Sequence, residues 1–220
     1  MQSSIYFDAI LFDLDGTLID SLADIAASTN YVRGKMGMPN LPAKTIQNYI
    51  GDGIHALLER ALGALELPAI EEALAIWRSY YEIHCLDRTC LYPGIMEILQ
   101  KMFSSGIPLG VVSNKPVIPS EKILRGLGVR NMFLVVVGGD STSKRKPDPE
   151  PLQFAVAQMK ISSNKVLVIG DSPNDIFGAR NAGYQSCAVL WGIGDEKSVR
   201  QARPDYLVKR PEELRMRIGF

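Results

Sequence analysis

Two aspartates stand two positions apart behind an apolar run: Asp13 and Asp15 in "FDLDGTLID", after Ala9-Ile10-Leu11-Phe12. Carboxylates at the end of a buried strand are costly unless something neutralises them. Two residues along an extended chain point to the same side, so both can reach one reacting atom. Gly16 lets the backbone turn sharply after them. Three further stretches carry groups of matching chemistry: Ser113 and Asn114 in "VVSNK", Lys146 in "SKRKPDPEP", and Asp171 and Asp175 in "VIGDSPND". Four close carboxylates repel and raise one another's pKa. A hard divalent cation removes that conflict, and oxygen ligands with several waters suit Mg²⁺. Mg²⁺, a lysine and a hydroxyl form a set that holds a phosphoryl group. Taken singly, Asp-x-Asp-Gly reads as a turn with Asx hydrogen bonds, Ser113 as a cap and Lys146 as a solvated charge. Only together do the four stretches point to phosphoryl chemistry.

The elements that must position these groups are short apolar runs rich in β-branched residues. Ile5–Phe12, Pro108–Ser113, Phe133–Val137, Lys165–Ile169 and Ser186–Leu190 read as strands, with Tyr206–Val208 a weaker edge candidate. Runs apolar throughout suit strands buried on both faces of a parallel sheet. Helical periodicity fills the intervals 94–106, 118–128, 148–160 and 174–183, the last closing on a glycine. Strand alternating with helix predicts an α/β fold with a doubly wound, mostly parallel sheet and a Rossmann-like core. Ligands in such sheets bind beyond the carboxyl ends of the strands, and every residue singled out above lies there. From about Ser21 to Cys90 no strand is evident; three helical stretches punctuated by Pro39, Pro42 and Pro68 predict a helical insertion after the first strand. "YPGI" at 92–95 marks the return. Asp20 and Ser21 are expected to cap the first inserted helix.

Composition excludes several classes. The 220 residues are 46% hydrophobic and 22% charged, with 24 basic against 24 acidic side chains, ordinary for a soluble globular protein. No basic excess points to nucleic acid, and no apolar run reaches the length of a membrane span. Residues 1–8 contain no Lys or Arg, unlike a secretory signal. Three cysteines without a CxxC pair fit a reducing compartment, so a cytoplasmic protein is expected. His84, Cys85 and Cys90 lie close in sequence but lack zinc spacing.

The four motifs resemble those of the haloacid dehalogenase superfamily of phosphohydrolases, and the resemblance runs over the whole chain. It implies residues 1–20 and 91–220 as the α/β core and 21–90 as a helical cap domain. It implies Asp13 as the nucleophile that forms an aspartyl-phosphate, and Asp15 as general acid and base. Ser113 and Asn114 would bind phosphoryl oxygens, and Lys146 would neutralise nucleophile and transferring group. Lys146 is chosen over Lys144 and Arg145 because it directly precedes Pro147. Asp13, Asp171 and the backbone carbonyl of Asp15 would hold Mg²⁺, with Asp175 orienting its neighbours. The resemblance also implies a small phosphorylated metabolite as partner, with no nucleic acid or membrane. "YIGDGIHALLERAL" at 49–62 is similar to the cap of phosphoglycolate phosphatases; Gly51 and Gly53 would let this loop approach the substrate backbone-first, and His55 and Arg60 are candidates to meet a substrate carboxylate. Trp77, Tyr80 and Tyr81 read as cap core. A phosphomutase of the β-phosphoglucomutase type or a pyrophosphatase would share these motifs. A non-enzymatic scaffold would be expected to lose one of Asp13, Asp15, Lys146 or Asp171, and none is lost.

Overall fold

The computed structural model describes residues 7–63 and 66–218. Six strands, β1 (Ala9–Phe12), β4 (Leu109–Val112), β5 (Val135–Val137), β6 (Val166–Gly170), β7 (Gln185–Val189) and β8 (Tyr206–Val208), form one parallel sheet in the order β5-β4-β1-β6-β7-β8. The chain builds outward from β1 to β5, then returns to the other flank of β1 for β6. Strand order therefore reverses at β1, the place where open α/β sheets bind ligands. Ile10 and Phe12 face one apolar layer with the helices α5 (Ile95–Ser104) and α6 (Val117–Gly126). Ala9 and Leu11 face the other, with α7 (Glu150–Gln158) and α8 (Pro173–Ala182). Two-sided burial explains why these strands read as unbroken apolar runs.

The insertion holds α1 (Leu22–Lys35), α2 (Ala43–Gln47), α3 (Ile54–Leu62) and α4 (Leu67–His84). Its buried residues Ile25, Val32, Leu58, Leu74 and Tyr81 belong to the same apolar cluster as Ile10 and Phe12. Asp24 of α1, itself buried, accepts from Arg88 N, Thr89 N and Thr89 Oγ1 at 3.0, 2.8 and 2.8 Å, which ties the insertion's entry to its exit.

The sequence reading needs several corrections. The first strand begins at Ala9: the chain bends at exposed Asp8, and Ile5 and Tyr6 lie outside the described residues. A two-stranded antiparallel pair, β2 (Ile19–Asp20) with β3 (Cys90–Leu91), flanks the insertion; strands of two residues have no period to detect. The stretch 42–65 is two helices, because Gly51 and Gly53 take positive φ (126° and 87°) between them; its residues Ala64 and Leu65 are not among those described. Two late helices, α9 (Glu196–Gln201) and α10 (Glu212–Ile218), add to those the sequence predicts. Among the described residues, no helix is long and apolar enough to cross a membrane.

Candidate active site

The loops after β1, β4, β5 and β6 converge at the carboxyl edge of the sheet. Asp13 follows β1 directly, its N–H donating to Ile169 O at 2.8 Å. Lys146 arrives from the long loop after β5 and reaches back across β4. Its buried ammonium donates to Asp13 Oδ1 (2.8 Å), Asp175 Oδ1 (2.6 Å) and Val112 O (2.5 Å). Burial alone would lower its pKa, but the two aspartates outweigh that and hold it above the ordinary lysine value.

The carboxylates of Asp13, Asp171 and Asp175 each place an oxygen within 4.8 Å of the others. Burial first, then the charges of Asp13 and Asp175, push the Asp171 carboxyl up to about 8 against the backbone donors Gly194 and Ile193. Burial likewise raises Asp13, Lys146 draws it back, and Asp175 adds to the rise; it is pushed up to about 6. The three carboxylates could hold a metal ion, and their all-oxygen donor set fits a hard divalent cation. Asp171 Oδ2 accepts from Ile193 N and Gly194 N at 2.9 and 2.8 Å, while Oδ1 has only a 3.4 Å contact with Thr17 Oγ1 and so has room for a metal. Gly16 makes this approach possible: at φ 85°, a Cβ there would stand 2.1 Å from Asp171 Oδ2. Asp175 is otherwise engaged. Its Oδ2 accepts from Ser172 N and Oγ at 3.1 and 2.6 Å, closing a capping box on α8.

Asp15 stands apart from that cluster. Lys115 Nζ lies 3.1 and 2.9 Å from its two oxygens, and Ser21 Oγ donates to Oδ1 at 2.5 Å. The expectation for Ser21 thus fails: it sits at the N-cap of α1 without a side-chain cap bond, and its hydroxyl is given to Asp15 instead. Sequence reasoning missed Lys115. The signal was present, since Lys115 directly precedes Pro116 just as Lys146 precedes Pro147.

Ser113 Oγ accepts from Lys115 N at 3.3 Å. Asn114 is committed to the protein itself. Its Nδ2 donates to Gly51 O and Lys146 O, at 2.9 and 3.0 Å, and its Oδ1 accepts from Lys146 N. It fixes the backbone of Lys146 and holds the inserted loop rather than standing free for a ligand. Asn174 also reaches that loop, donating to Asp52 Oδ1 at 2.8 Å.

A cavity of ≈ 1050 Å³ opens over the cluster, walled by Ile50, Ile54, Leu57, Trp77 and Tyr81 of the insertion and rimmed by Arg60, Arg78, Lys122 and Arg145. Gly51 lines it, but His55 does not. Ile54, Leu57 and Arg60 recur every third residue on one face of α3, and His55 falls off that face; its ring pairs with Glu59 at 3.4 Å, 44% exposed. Arg60 reaches the cavity with its guanidinium on Asp52 Oδ2 at 2.5 Å and on Tyr49 O. Trp77 and Tyr81 are both core and cavity wall.

The family model described as haloacid dehalogenase-like hydrolase matches residues 10–189. A phosphoglycolate phosphatase of Neisseria meningitidis is 36% identical over 217 residues, covering 95% of this chain and 92% of its own. An N-acetylmuramic acid 6-phosphate phosphatase of Pseudomonas aeruginosa is 36% identical over 208 residues, covering 94% and 92%. The crystal structure of a predicted phosphoglycolate phosphatase from Haemophilus somnus superposes with a TM-score of 0.89 at 29% identity, covering 96% of this chain and 98% of that one.

Proposed function

The chain belongs to the haloacid dehalogenase-like hydrolases and is a phosphatase, a phosphoric monoester hydrolase, and from that premise we propose that it hydrolyses 2-phosphoglycolate through an aspartyl-phosphate on Asp13 with the aid of Mg²⁺. The observation that carries the mechanism is the Lys146 ammonium 2.8 Å from Asp13 Oδ1, beside the buried Asp171. Asp13 attacks phosphorus as the ester P–O bond breaks, and Asp15 gives its proton to the departing oxygen. Water then loses a proton to Asp15 and attacks the same phosphorus; the P–O bond to Asp13 breaks, and inorganic phosphate leaves. A carboxylate needs no base to attack, which leaves Asp15 free for proton traffic. Lys146 balances the charge on nucleophile and phosphoryl group. The Ser113 hydroxyl would donate to a phosphoryl oxygen. Mg²⁺ would be held by Asp13, Asp171 and the backbone carbonyl of Asp15, and would neutralise phosphoryl charge. In this reading residues 21–90 act as a cap over the core formed by 1–20 and 91–220.

Phosphoglycolate rests on the relatives' names and on the cationic rim, where Arg60 offers a guanidinium to a substrate carboxylate. One observation favours a larger substrate. A cavity of ≈ 1050 Å³ with an apolar wall exceeds what a two-carbon acid fills and would admit a phosphorylated acidic amino sugar. A phosphate-release panel, with and without Mg²⁺, decides between them. We expect 2-phosphoglycolate to show the highest kcat/KM. A higher value for N-acetylmuramic acid 6-phosphate would move the assignment to the sugar acid. Preference for pyrophosphate, or conversion of β-glucose 1-phosphate to the 6-phosphate, would overturn the substrate class.

A further inference from the structure

Lys115 has no part in the scheme above, yet its environment is as constrained as that of Lys146. Its backbone is pinned on both sides: its N–H donates to Ser113 Oγ, and its carbonyl accepts from Gly139 N at 2.9 Å. Its side chain is 6% exposed. The ammonium holds both oxygens of Asp15 and lies 4.6 Å from the ring centroid of Tyr81. Tyr81 belongs to α4 of the insertion and is stacked on Trp77 at 4.3 Å. Its own hydroxyl is buried and, among the described residues, meets no partner at ordinary hydrogen-bond geometry. A buried ammonium with one carboxylate and one aromatic face has few alternative placements, so the orientation of Asp15 is set from the sheet by Lys115 and backed from the insertion by Tyr81.

We propose that Lys115 is a positioning residue for proton transfer by Asp15: it fixes the Asp15 carboxyl group where it can serve the departing oxygen, and Tyr81 of the insertion holds Lys115 in that place. The inference rests on the reading of Asp15 as the proton donor. It predicts a signature that depends on the leaving group. kcat/KM reports only the steps through departure of the alcohol. An alkyl alkoxide needs a proton as it leaves, whereas p-nitrophenolate does not.

The test compares Lys115→Met with Asp15→Asn on an alkyl phosphate and on p-nitrophenyl phosphate, after circular dichroism and Tm confirm folding. Lys115→Gln is the second variant should Met not be accommodated. We expect kcat/KM for the alkyl phosphate to fall about 100-fold in Lys115→Met while the aryl value stays within about threefold, because positioned acid catalysis is worth on the order of 10²–10⁴. Asp15→Asn should show the same bias. Equal losses on both substrates, or no loss, in a folded Lys115 variant would overturn the role of Lys115 if Asp15→Asn retains its bias. Absence of bias in Asp15→Asn would instead overturn the reading of Asp15 on which the inference depends.

Discussion

Asp175 meets Lys146 at 2.6 Å, both side chains 2% exposed, and its second oxygen caps α8. The contact ties the first turn of a helix to a lysine from a distant loop. Asp171, just before the N-cap residue of that helix, spends one oxygen on two amides and leaves the other only a 3.4 Å contact with Thr17 Oγ1.

Asp171→Ala should therefore raise the Mg²⁺ concentration needed for half-maximal activity about tenfold or more, the scale on which lost metal-site contacts act. Asp175→Ala should instead act on stability. It strips a buried lysine of a partner and a helix of its cap, losses on the order of 3–5 and 1 kcal/mol in comparable settings. Magnesium titrations beside thermal melts separate the two; a larger metal shift at Asp175 would make it the ligand.

Asp13→Asn should keep the fold and lose turnover by about a thousandfold or more, since an amide does not attack phosphorus. Its oxygen still accepts from Lys146, and one of three crowded charges is gone. The metal-free variant is expected to melt no lower than the parent. Undiminished phosphate release from folded protein would remove Asp13 from the nucleophile's place.

Without metal, Asp171 and Asp13 are pushed up to about 8 and about 6, against an ordinary 3.8. Between these limits the folded protein holds protons that the unfolded chain has shed, so metal-free stability falls as pH rises from about 5 toward 8. A cation must displace those protons. The gain in Tm from a fixed Mg²⁺ concentration should accordingly be larger at pH 8 than at pH 5.5. A gain that ignores pH would place the ion away from these carboxylates.

Arg60→Ala should lower kcat/KM for 2-phosphoglycolate only about three- to tenfold, because a side chain 42% exposed and already paired with Asp52 is screened by water. p-Nitrophenyl phosphate, which has no carboxylate, should be affected less. Equal losses on the two substrates would remove Arg60 from substrate recognition.

The sheet was legible because strands buried on both faces carry continuous Val, Ile and Leu. Its carboxyl edge was legible because Asp13, Ser113 and Asp171 each directly follow such a run, whereas Lys146 comes from the long loop after β5. Lys115 shares with Lys146 the position before a proline, but no local pattern in "VVSNK" shows that its ammonium turns to Asp15, 100 residues earlier in the chain. Ser21 was read as a helix cap because local rules see only neighbouring amides, and its acceptor, Asp15, lies six residues back. His55 was proposed by residue type, whereas helix phase selects Ile54, Leu57 and Arg60. Asn114's service to Gly51 and Lys146 joins positions 63 and 32 residues away, beyond any local pattern.

The short ribbon of Ile19–Asp20 against Cys90–Leu91 brings the point where the chain departs beside the point where it comes back. Everything between those points enters and leaves the core through that ribbon, while Asp13 and Asp171 directly follow strands that lie outside it. If the inserted stretch is the cap proposed above, substitutions in it away from Gly51 and Tyr81 would remodel selectivity and leave Asp13 and Asp171 in place. That separability offers a physical reason why relatives equally close to this chain bear names for a two-carbon acid phosphate and for an amino-sugar phosphate.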